Sequence, residues 1–121
     1  MRMWMINPKH MCNKHLFGEH VEHHMFLGTM KKGKSLAGYE RNNLLQLSSL
    51  LERHSILARE ILDRGFNHKS PLNEEEFYSY VQENTDYQKL IETSKVNIGA
   101  SEEDLFSRCP KCKLKKELTI I

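Results

Sequence analysis

Between residues 44 and 64 apolar side chains return with the pitch of an α-helix. Leu47, Leu50, Leu51, Leu57, Ala58, Ile61 and Leu62, joined by His54, fall on one side when turned through about 100° per residue. Gly65 follows where a left-handed C-terminal cap belongs. A stripe of this length must be buried against other elements. It therefore predicts a long central helix over about 44–64 within an all-α, compact single-domain helical bundle spanning residues 1–121. No run of alternating apolar and polar residues competes for a strand. A chain of 121 residues, 39% hydrophobic and 28% charged, can bury one core and still present wet helix faces.

Other helix boundaries follow from capping chemistry. Asn7-Pro8 reads as an N-cap followed by the first helical residue, which starts a helix over about 8–28. Leu16, Phe17, Val21 and Met25 would share one side of it, and His15, Glu19, Glu22 and His23 another, with Gly28 as the stop. "KKGKSLAGYERNN" reads as a basic loop or a short irregular helix. Asn73 can cap "EEEFYSYVQEN", whose glutamates suit a helix N-terminus. Thr85 with Gln88 resembles a capping box for a helix to about 95, and Ser101 with Asp104 another ending near Ser107. Residues 107–121 form a tail around Cys-x-x-Cys, in which "KLKKELTII" has no assignment.

The net charge of +2 conceals a polarity along the chain. Residues 1–72 hold eleven Lys and Arg against six Asp and Glu, residues 73–106 two against nine, and residues 107–121 five against one. All seven histidines fall in the first block. A basic, histidine-rich half followed by an acidic segment is either an uneven solvated surface or the footprint of a polyanion. No apolar run reaches membrane-spanning length. The three cysteines, Cys12 and the pair Cys109 and Cys112, do not make a disulfide framework and suit a reducing compartment. A cytoplasmic chain, nucleoid-associated if its host is a cell, and monomeric, is the expectation.

"CPKC" supplies two thiolates, half of a structural zinc site. Cys12, beside His10 and His15, would complete it if the C-terminus folds back, and a reduced metal-free pair is the alternative. "KHLFGEHVEHH" combines carboxylates and imidazoles on one helix. Its pairs His15 with Glu19 and His20 with His24 have metal-binding i, i+4 spacing, yet the H-E-x-x-H order of zinc proteases is missing. A metal site, an acid/base site and a solvated polar face stay open on the residues alone. At the other extreme lies "MRMWMIN", where Arg2 is too large for efficient removal of Met1, so a free α-amine on Met1 is expected.

"KHLFGEHVEH" resembles the segment that carries the catalytic glutamate of the endonuclease V family of pyrimidine dimer DNA glycosylases, with Glu22 on that position. In the same register Met1 falls on the residue whose α-amine is that family's nucleophile, Arg2 on the arginine after it, His15 on a histidine near DNA, and Lys31-Lys32 on a basic pair. "LLERHSILAREILDRGFNHKSP" is similar to the family's core helix and the turn that ends it, and the resemblance covers about residues 1–71. It implies a DNA repair glycosylase with abasic-site lyase activity on damaged duplex DNA, catalytic through Met1 and Glu22. No cofactor is required for that chemistry, and zinc would be structural, on Cys12, Cys109 and Cys112. The DNA-facing residues would be Arg2, Lys14, His15, Lys31, Lys32 and Lys34. An α-amine titrates near about 7.7–8.0, against about 10.4 for lysine, so it is a nucleophile near neutrality. The sequence departs from the phage pattern at Val21 and Met25, where arginines flank the glutamate, and in lacking an aromatic-rich C-terminus. The alternative is a non-enzymatic, zinc-stabilised nucleic-acid-binding module of the same fold, and a third reading is a protein-interaction domain using the acidic residues 73–106.

Overall fold

The computed structural model describes residues 1–68 and 70–119. Among them are seven α-helices and no strand: α1 Asn13–Lys31, α2 Ala37–Arg41, α3 Leu50–Asp63, α4 Glu74–Gln82, α5 Thr85–Thr93, α6 Ile98–Arg108 and α7 Pro110–Thr119. No helix among the described residues is long and apolar enough to cross a membrane.

The all-α expectation holds, but the central element differs. α3 is 14 residues long, whereas α1 has 19 and is the longer. Residues 44–46 are not helical, because their polar groups are drawn into tertiary pairs. The Met3 N–H donates to the Leu44 carbonyl at 2.7 Å, the Gln46 N–H to Met3 Sδ at 3.4 Å, and the Val96 N–H to Gln46 Oε1 at 3.1 Å. A 3-10 turn at Leu47–Ser49 then leads into α3. Gly65, at φ +87°, ends it in the left-handed conformation that its position in the sequence predicts.

Asn7 does accept an N–H, from Lys9 at 3.0 Å, yet it caps only the 3-10 turn Pro8–His10. The chain straightens at Met11 and Cys12, both buried, before α1 begins. α1 also runs past Gly28, since Phe26, Leu27 and Met30 are buried around it. Later helices share one device, an asparagine side chain accepting the backbone N–H three residues on. Asn73 takes Glu76, Asn84 takes Tyr87 and Asn97 takes Ala100, at 3.0–3.1 Å. Asn84 and Asn97 thus displace the expected caps Thr85 and Ser101; Ser101 is buried inside α6.

α1 and α3 pack against each other in opposite directions and divide the interior into layers. Leu16 of α1 joins Leu57 and Ile61 of α3, with Trp4, Ile6, Met11, Leu105 and the cysteines, in one apolar cluster. Phe26, Leu27 and Met30 join Leu50, with Met3, Leu45, Phe77, Tyr87 and Leu90, in the other. Between them lies a polar layer of Glu19, His20 and His23 from α1 and Arg53 and His54 from α3, each less than a tenth exposed. The face expected to be polar and wet is therefore partly core, while Val21 (54% exposed) and Met25 (49%) face solvent. Burial is tolerated because the charges are matched. Arg53 Nε and Nη2 donate to the two Glu19 oxygens at 2.7 and 2.9 Å, and His23 Nε2 lies 3.2 Å from Glu19 Oε2. Burial alone would raise the Glu19 pKa, but bonds to Arg53 and His23 outweigh it and hold the carboxyl below its ordinary range.

Candidate active site and cysteine cluster

Residues 1–6 are pinned through the middle of the fold. Met3, Trp4 and Ile6 are buried, and the Ser101 hydroxyl donates to the Trp4 carbonyl at 2.7 Å. Met5 sits at φ 58°, an unfavourable conformation for a non-glycine residue that the buried neighbours on both sides hold in place. The half-buried Met1 side chain packs against the larger apolar cluster.

Glu22, half-buried on α1, accepts the backbone N–H of Arg2 through Oε2 at 3.1 Å. Covalent geometry keeps successive backbone nitrogens within about 4 Å, so the Met1 nitrogen lies within roughly 7 Å of that carboxylate oxygen. The other Glu22 oxygen has no hydrogen bond to the described residues. An amine and a carboxylate with spare acceptor capacity are thus brought to one place, 20 residues apart in sequence.

Arg2 is committed within the molecule. Its guanidinium stacks 3.6 Å above the Trp4 ring centroid, and Nη1 donates to Asp104 at 2.8 Å. Asp104 is shared with Arg108 at 2.7 Å, and Arg2 Nε is buried without a partner among the described residues. Trp4 packs, as its burial requires, and Asp104, 102 residues from Arg2 in the chain, carries no local signal that connects it with the N-terminus. Lys14 is exposed at the start of α1; Lys31, Lys32 and Lys34 are exposed at and beyond its end. Seventeen residues of helix separate Lys14 from Lys31, about 25 Å, with Glu22 near the middle. α7 adds Lys111 and Lys115, which line a cleft of about 340 Å³ with Lys14.

His15 turns inward. Its Nδ1 lies 3.2 Å from Cys12 Sγ and 3.6 Å from Cys112 Sγ, and Cys12 Sγ lies 3.8 Å from Cys109 Sγ. Burial first, then the charges of Lys14 and Arg108, lower its pKa. The cluster exists because α7, started by Pro110 directly after Cys109, packs back against the 3-10 turn Pro8–His10. His10 does not join it; His15 is the fourth member.

These four residues can hold a metal ion, their ligand atoms all within 4.8 Å of one another. A tetrahedral zinc with Zn–S of about 2.3 Å and Zn–N of about 2.0 Å spaces two sulfurs about 3.8 Å apart and a sulfur and nitrogen about 3.5 Å apart. Cys12–Cys109 at 3.8 Å and His15–Cys112 at 3.6 Å match those edges, and His15–Cys12 at 3.2 Å is slightly short. The Cys12 N–H donates to Cys112 Sγ at 3.2 Å and the Cys112 N–H to Cys109 Sγ at 3.4 Å, bonds that favour thiolate. Without a metal the thiols differ. Burial opposes ionisation of Cys109 but is outweighed by donors from Cys112 and Cys12, while burial pushes Cys112 up to about 12.

No curated protein and no solved structure matches this chain. One family profile does, that of the pyrimidine dimer DNA glycosylases, over residues 1–74. Its span takes in the pinned N-terminus, Glu22, the polar layer and the turn after α3, and so more than half of the sequence. The chain therefore belongs to the pyrimidine dimer DNA glycosylase family, a family of DNA repair glycosylases.

Proposed function

We propose that this glycosylase acts on a damaged pyrimidine, such as a pyrimidine dimer, in duplex DNA, through the α-amine of Met1 with Glu22 as its carboxylate partner. The single observation that supports this most is the Glu22 hydrogen bond to the Arg2 N–H, which fixes the carboxylate one peptide away from the amine. In the proposed reaction the unprotonated amine attacks C1′ of the lesion's deoxyribose, a C–N bond forms, and the bond from C1′ to the base breaks. The base leaves with the glycosidic electron pair and takes up a proton. The sugar ring then opens, O4′ takes up a proton from water, and the nitrogen keeps its remaining proton, which gives a protonated Schiff base. Glu22 stabilises the cationic species and assists removal of a C2′ proton, and β-elimination then breaks the C3′–O bond.

Arg2, held by Trp4 and Asp104, sets the position of the first peptide and places a positive charge beside the incoming phosphates. Lys14 at the start of α1 and Lys31, Lys32 and Lys34 at and beyond its end lie on either side of Glu22 along the helix axis and contact the DNA backbone in this reading, with Lys111 and Lys115 extending the Lys14 end. His15 belongs with these residues through its position beside Lys14, although Nδ1 is turned to the sulfurs. Cys12, His15, Cys109 and Cys112 would hold a structural zinc, which would tie α7 to the start of α1 and supply no step of the reaction.

Incubation with duplex DNA carrying one abasic site, followed by borohydride, should give a covalent adduct that mass spectrometry locates on the Met1 nitrogen. No adduct from protein with a verified free N-terminus would overturn the amine mechanism and favour a binding module without chemistry.

A further inference from the structure

The histidines of the polar layer extend beyond the Glu19 network into a second cluster. His20 of α1, His54 of α3 and His68, in the segment after α3, each offer one ring nitrogen, and these nitrogens all lie within 4.8 Å of one another. His20 Nε2 is 2.7 Å from His68 Nε2, and His54 Nε2 is 3.2 Å from His24 Nε2. We infer that His20, His54 and His68 form a second metal site, separate from the cysteine cluster, for a divalent first-row transition ion such as zinc.

Two observations carry this. First, a tetrahedral zinc with Zn–N of about 2.0 Å spaces its ligand nitrogens about 3.3 Å apart, so small ring rotations bring the three nitrogens onto one ion. Second, His20 and His54 are only 8% and 4% exposed, yet among the described residues each directs a ring nitrogen at another imidazole nitrogen and not at a carbonyl or carboxylate. By contrast, His23 of the same layer is fully engaged by Glu19 and the Leu50 carbonyl.

The donor set selects the ion. Imidazole nitrogens suit zinc, nickel, copper and cobalt and discriminate against magnesium and calcium, which take oxygen ligands. His54 and His68 also line a cavity of about 350 Å³, with Glu74 on its wall, which leaves room for water or another small ligand at a fourth position. His20 and His24 lie two residues on either side of Glu22, which turns them about 160° around α1 from it. The ion would thus bridge α1, α3 and the segment after α3, away from Glu22.

The test uses untagged protein, stripped of metal and reloaded with zinc, and compares wild type with His68→Ala. His68 is only half-buried and outside any helix, so the variant should keep the wild-type far-ultraviolet circular dichroism. The expected result is a loss of one zinc equivalent in the variant, whatever the cysteine cluster holds. With cobalt(II), wild type and variant should keep the same thiolate-to-cobalt charge-transfer absorption, which reports only the cysteine cluster. Equal zinc content in the two proteins would overturn the site and leave His20 and His68 as a hydrogen-bonded imidazole pair. Loss of the charge-transfer band together with the zinc would also overturn it, since the missing ion would then be the cysteine-bound one.

Discussion

Glu19 and Glu22 stand three residues apart on α1, and the fold treats their carboxylates in opposite ways. Glu19 is buried, and both of its oxygens are taken by the Arg53 fork and His23. Glu22 is half-buried and accepts one N–H, from the pinned N-terminal segment. A carboxylate saturated with donors inside a packed layer has no capacity left for chemistry; it holds two helices in register. One with free lone pairs beside an amine can stabilise a cation and move a proton. A sequence that places two glutamates on one helix does not reveal which is scaffold and which is site. The partners do.

Glu22→Gln should break this comparison most severely. The amide still accepts the Arg2 N–H, so folding and melting temperature should match wild type. Strand cleavage at an abasic site should fall by about 10²–10⁴-fold, the usual contribution of a positioned acid or base. Cleavage at the wild-type rate would remove Glu22 from the mechanism.

The reciprocal change, Glu19→Ala, should act on stability. It leaves the Arg53 guanidinium buried with no carboxylate, a loss of about 3–5 kcal/mol and therefore a drop of about 12–20 °C in melting temperature. Pairing Glu19→Leu with Arg53→Met should recover most of that loss, because the buried charge goes with its partner. Calorimetry on the three proteins decides it. A double variant as unstable as Glu19→Ala would mean that the layer contributes more than matched charges.

The same contrast explains what the sequence made legible. The packing face of α3 could be read because Leu50, Leu57 and Ile61 repeat at helical spacing and are buried. α1 could not, because its inward side carries Glu19, His20 and His23 and its outward side Val21 and Met25. Hydrophobicity along α1 alone points the wrong way; the inversion is resolved only by Arg53 and His54, supplied by another helix. The cysteine pair was visible as Cys-x-x-Cys and Cys12 as its partner, but spacing did not separate His10 from His15 as the fourth member. His15 meets Cys112 across 97 residues, through the return of a tail that carried no capping signal beyond Pro110. Asn84 and Asn97 are the caps although Thr85 and Ser101 carry the capping-box spacing, because the asparagine one residue earlier already accepts the N–H of the first turn.

The smallest effect belongs to the open side of α1. Val21 adjoins Glu22 in sequence and is more than half exposed, so Val21→Gln removes little burial and should change stability by no more than about 0.5 kcal/mol. Urea unfolding at fixed pH measures this directly. Its value lies in the contrast with Glu19→Ala, since the two substitutions sit two residues apart on one helix, and hydrophobicity alone would rank the valine as the core residue. A loss above about 1 kcal/mol for Val21→Gln would mean that this side of α1 is covered, and Glu22 would then lie under packing and not at the surface where a DNA strand could reach it.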